Sequence, residues 1–191
     1  MRKPRLYFSF PAAVWIALWL YYDRNGSAVC SICAAVLHEC GHLLALWSFC
    51  DLPRSIRIGT FGVSIVRCGT VKLTYRQEIF TAAAGPAVNL LLCCILTVCS
   101  LFRPTIWIGV QVNLALALFN LLPLRTLDGG QILYAALCRR MLPHDAASVC
   151  KTIAVITAIP LTAIGWIRFR NGYGIYSLML SLFSVVSVVL P

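Results

Sequence analysis

His38, Glu39 and His42 fall within five positions of "VLHECGHLLAL" (36–46), a stretch that is otherwise apolar. In a helix, about 100° per residue sets His38 and His42 roughly 40° apart in azimuth and one turn apart in height. Two imidazoles placed this way can bind one zinc ion. Glu39 lies roughly 60° from His42, on the flank, where it can act on a water beside such an ion. Cys40 points to the far side and is a poor ligand. Gly41 removes bulk next to the site, so a neighbouring helix can approach. H-E-x-x-H is the pattern of zinc hydrolases. The bland alternative is chance, or two core histidines in a bundle. It is disfavoured inside an apolar span, where every polar residue carries a cost.

A catalytic zinc takes three protein ligands and keeps its fourth position for water. The chain has six acidic residues, of which Asp23, Asp51, Glu78 and Asp145 lie in expected connecting segments. Glu39 and Asp128 do not. His144, in "MLPHDAA", reads as a solvated histidine near the membrane surface. Asp128 sits at a helix break and is the better third ligand. The plain alternative makes it an N-cap for a half-helix starting at Gly129.

The elements that must hold these residues are membrane helices. Of 191 residues, 60% are hydrophobic and 12% charged, with a mean hydropathy of +0.85. Soluble domains carry roughly twice that charge. Uncharged runs at 6–22, 79–102, 104–124, 152–167 and 171–191, with 25–50 broken only by Glu39, predict six spans, the fifth reaching full length by including residues before Lys151. The first starts with basic residues as a signal peptide does, but "YYDRNGS" lacks a cleavage site, so a retained span is expected. The ten cysteines fall mostly in apolar runs and read as small hydrophobes.

The net charge of +10 does not point to nucleic acid. With a cytosolic N-terminus and six crossings, twelve basic residues fall on the inner side. Only Arg24, Arg103, Arg168 and Arg170 fall outside. That asymmetry is the positive-inside rule. It predicts both termini in the cytosol, and a bacterial cytoplasmic membrane is the expected location.

Two segments depart from simple spans. Residues 51–78 alternate apolar and polar positions between glycines 59, 62 and 69, which predicts two or three short strands at the membrane surface. The fourth apolar region runs from Pro104 to about Cys138, too far for one straight helix. Pro123 and Gly129-Gly130 predict a break, with a second half from about Gly130 to Arg139. Irregular backbone at membrane depth must be buried in protein or line a wet cavity. The expected architecture is an all-α polytopic membrane protein with a small β element and a broken fourth helix. It forms one domain over 1–191, with a core at roughly 27–140 and accessory spans at 6–22, 147–167 and 173–190.

With "HECGH", "AAGPAVN" (83–89) and "NLLPLRTLDGG" (120–130) in three successive spans, the chain resembles the site-2 proteases, which are zinc intramembrane proteases. The resemblance implies His38, His42 and Asp128 as ligands of one catalytic zinc and Glu39 as the acid/base. It implies that Asn120 and Asn89 position substrate or support the site, although either asparagine could instead bridge helices. It implies a transmembrane protein substrate, with room for a regulatory membrane partner. Six spans with the motif in the second are similar to the sporulation-type branch, whose members cleave a membrane-associated sigma-factor precursor. That branch commonly carries a nucleotide-binding CBS domain, whereas this sequence ends at Pro191 directly after the sixth span, so a relative lacking that domain is expected. Arg125 also departs from the family pattern and is read as snorkelling to headgroups or meeting the substrate.

Two other classes compete. A zinc transporter or channel would also place His and Asp inside a membrane, but it has no need of Glu39 beside the histidines. An inactive relative that binds membrane segments has no reason to keep Glu39.

Overall fold

A computed structural model describes residues 5–23, 25–49, 53–59, 62–67, 72–172 and 175–189. Its elements run β1 (Arg5–Phe8), α1 (Phe10–Tyr22), α2 (Ser27–Ser48), β2 (Pro53–Gly59), β3 (Gly62–Arg67), α3 (Tyr75–Ser100), a 3-10 turn (Pro104–Ile106), α4 (Trp107–Asn120), α5 (Asp128–Cys138), α6 (Pro143–Arg170) and α7 (Ile175–Val189). The described chain is nearly all helical. Helices α2, α3 and α6 are long and apolar enough to cross a membrane. The chain divides into two compact units, residues 1–118 and 119–191.

In the first unit, β1, β2 and β3 form a sheet in that order. Strand β1 runs parallel to β2, with Leu6 opposite Ile56 and Phe8 opposite Ile58, and β2 pairs antiparallel with β3. The run 6–22, expected as the first span, opens in strand β1 and continues in the 13-residue α1. Tyr7 and Phe8 suit a strand, and Pro11, second in α1, suits a helix start. The run Val71–Leu73 lies partly outside the described residues, and 72–74 are irregular.

Asp23 and the residues after it organise the start of α2. The Asp23 carboxylate accepts hydrogen bonds from the Ala28 N–H at 2.8 Å, the Ser27 N–H and hydroxyl, and the Asn25 N–H. Partial loss of hydration opposes the charge, but these bonds outweigh it and hold the carboxyl below its ordinary range. Helix α3 begins with a capping box: the Thr74 side chain accepts from the Gln77 N–H, and the Gln77 side chain accepts from the Thr74 N–H. Helices α2 and α3 pack at a glycine. A Cβ on Gly41 would stand 2.7 Å from the Ala84 carbonyl oxygen. Small residues bring membrane helices together in this way.

In the second unit, residues 121–127 link α4 to α5 without regular structure. This link is held by its leucines. Leu124 is fully buried and Leu127 nearly so, and both cluster with Ala154 against Leu161 of α6 and Phe183 and Val188 of α7. Thr126 donates to the Ser187 hydroxyl of α7 at 3.1 Å. Buried Ser181, Ser184 and Ser187 recur every third residue along α7. Ser184 bonds the Thr162 hydroxyl of α6 at 2.8 Å, and Ser181 donates to the Thr162 carbonyl. Helix α7 thus seats on α6 through hydroxyls and clamps the link just ahead of Asp128.

Candidate metal centre

Helix α2 carries His38 and His42 on one face, with His38 buried and His42 half-buried. Their Nε2 atoms lie 3.2 Å apart. Each ring is fixed from behind by α3. His38 Nδ1 lies 2.6 Å from the Asn89 Oδ1, and His42 Nδ1 lies 2.8 Å from the Thr81 carbonyl oxygen. A carbonyl oxygen only accepts, so Nδ1 of each neutral ring carries the proton and Nε2 carries the lone pair. Two convergent lone pairs are a donor arrangement suited to a metal ion.

The space before those lone pairs is kept open by Gly85. A Cβ on Gly85 would stand 2.7 Å from His38 Nε2 and closer still to His42 Nε2. Such an approach is open only to a residue without a side chain. Gly85 and Asn89, four residues apart, share one face of α3, so one helix supplies both the opening and the support. These residues fit a zinc ion by donor type, tautomer and room.

Glu39 follows His38 and is half-buried, while Cys40 is exposed on the opposite side. Asp128 is buried at 8% exposure and is the first residue of α5. The N-cap is Leu127, so Asp128 does not hold the capping position. A carboxylate in the first turn is still favoured by the helix dipole. A Cβ on Gly129 would strike the Leu121 carbonyl, and one on Gly130 the Leu124 carbonyl. Both glycines let the link fold against the start of α5. Asn120 ends α4 and is half-buried. His38 and His42 belong to the first unit and Asp128 to the second.

Sequence reasoning did not single out Thr81 or Asn113, and it met Gly85 only within "AAGPAVN" (83–89). Only the i, i+4 spacing of Gly85 and Asn89 could have pointed to a helix face turned to the histidines.

The profile of Peptidase family M50 matches residues 98–161, the region that contains Asp128. Rip3 of Mycobacterium tuberculosis, named as a zinc metalloprotease, is 31% identical over 174 residues, covering 85% of this chain and 43% of its own length. The protein sll0528 of Synechocystis, named likewise, is 35% identical over 114 residues, or 56% of this chain and 30% of its own. The chain thus spans less than half the length of these curated relatives. The solved Site-2 Protease from Methanocaldococcus jannaschii is similar in fold, with a TM-score of 0.69 and 20% identity over 97% of this chain and 91% of that one.

Proposed function

We propose that the chain is a zinc-dependent intramembrane endopeptidase of the site-2 protease type, on its match to Peptidase family M50 and its similarity to relatives named as zinc metalloproteases. Its substrate is a membrane protein cut in or near a transmembrane segment. The observation that carries the reading is the convergence of the His38 and His42 Nε2 atoms before Gly85, with Glu39 next to His38 in the chain.

By the resemblance of the motifs that carry them, His38, His42 and Asp128 would hold the zinc ion. When bound, zinc supplies Lewis acidity toward the scissile carbonyl and acidifies water. Glu39 takes the proton of the attacking water and passes it to the leaving nitrogen. Asn89 holds the His38 ring, and Asn120 hydrogen-bonds substrate beside the reacting carbonyl. Removing zinc with a chelator should abolish cleavage, and one equivalent of zinc should restore it. Cleavage indifferent to the chelator would sink the reading.

A helical substrate shields its own peptide bonds, so it must unwind, and its freed backbone then needs partners. Strand β3 lies at the edge of the sheet and can pair with an extended segment. Proline at Val63 or Ile65 should then slow cleavage of an intact span more than cleavage of a short unstructured peptide. Equal effects on the two would exclude strand pairing.

The chain is an integral membrane protein, and we read it with six crossings and cytosolic termini. The basic residues favour this, twelve inside against four outside. The active site then opens toward the cytosol, which is its source of water.

A further inference from the structure

We propose that Asn113 of α4, a residue in none of the three motifs, is a positioning residue for the metal centre: through Asn89 it fixes which nitrogen of His38 is free to bind metal. The inference rests on the zinc reading above. Asn89 is fully buried and Asn113 nearly so. The Asn113 amide nitrogen donates to the Gly109 carbonyl at 2.8 Å, which turns the Asn113 Oδ1 toward Asn89. The Asn89 amide nitrogen donates to that oxygen at 2.9 Å and to the Ala34 carbonyl at 3.2 Å. Both of its N–H groups are thereby used, and its Oδ1 is left to face His38 Nδ1 at 2.6 Å.

Backbone carbonyls only accept, so Gly109 and Ala34 give the relay one direction. The amides cannot flip without opposing oxygen to oxygen in a buried site, where an unmet polar group is costly. His38 must therefore carry its proton on Nδ1 and present Nε2. Partners that set a ligand's tautomer and orientation in this way commonly change metal affinity when altered.

The test uses the purified full chain, labelled with 15N-histidine, whose three rings belong to His38, His42 and His144. Ring nitrogen shifts of the metal-free protein report the tautomer, and competition with a chromophoric chelator reports zinc affinity. Wild type is expected to show His38 protonated on Nδ1 alone. Asn113→Leu, which keeps the volume but not the acceptor, is expected to show an Nε2–H population and about tenfold weaker zinc binding. Asn113→Asp keeps an acceptor oxygen toward Asn89 and should retain the wild-type tautomer. A role limited to helix packing would lower the melting temperature of Asn113→Leu while leaving tautomer and affinity unchanged; that result overturns the proposal. Should Asn113→Leu fail to fold, His38 protonated on Nε2 in wild type or in Asn113→Asp overturns it equally. Wild type with the expected tautomer but no zinc affinity would refute the zinc reading and leave the relay standing.

Discussion

Replacing Gly85 by alanine abolishes zinc binding, and cleavage with it, in a protein that still folds. The added Cβ would stand 2.7 Å from His38 Nε2 and nearer to His42 Nε2, in the space the metal needs. Neither ring has room to yield. Asn89 holds one from behind and the Thr81 carbonyl the other. Helix α3 cannot draw back cheaply either, because it already packs on Gly41 through the Ala84 carbonyl. Loss of a supporting group around a metal commonly costs 10–100-fold in affinity, and direct obstruction of two ligands should exceed about 100-fold. Gly109→Ala is the matched control. Its Cβ would meet only the Leu96 Cδ1 at 3.1 Å, the end of a flexible side chain, so zinc should stay bound. Zinc affinity of Gly85→Ala within a few fold of wild type would contradict the geometry.

Glu39→Gln should keep zinc and lose catalysis. Glutamine has the shape of glutamate but cannot take a proton from water. General acid–base groups contribute roughly 10²–10⁴-fold, so a loss of at least about a hundredfold in turnover is expected. None of the three proposed ligands is touched, so zinc content should remain at one per chain. Single-turnover cleavage and metal analysis of the same preparation check both halves. A variant that loses its zinc would make Glu39 a structural support instead.

These expectations differ in how much of their basis was visible in the residues alone. The histidine face of α2 was legible because helix periodicity is local: His38 and His42 share a face wherever that helix packs. The link before Asp128 was legible from Pro123 and Gly129-Gly130, which interrupt an apolar run. The close approach at Gly41 followed from the absence of a side chain there. What was hidden depends on packing between distant segments. Gln111 and Asn113 are two amides in one apolar run, yet the first is exposed and the second buried against α3. No local pattern separates them. Residues 5–8 are a strand because they pair with 55–58, some 50 positions away, and hydropathy alone reads them as the start of a span. The serines of α7 recur every third residue, but only the packed α6 shows what they meet.

The most direct test of the central claim follows a single-span membrane protein in vesicles with purified wild type or Glu39→Gln, reading the cut position by mass spectrometry and zinc movement in the same vesicles. Intramembrane zinc proteolysis predicts bound zinc in both proteins, a cut in or beside the span with wild type only, and no zinc flux with either. Zinc flux that persists in Glu39→Gln, with no cut in wild type, would contradict it and make the histidine pair part of a transport path.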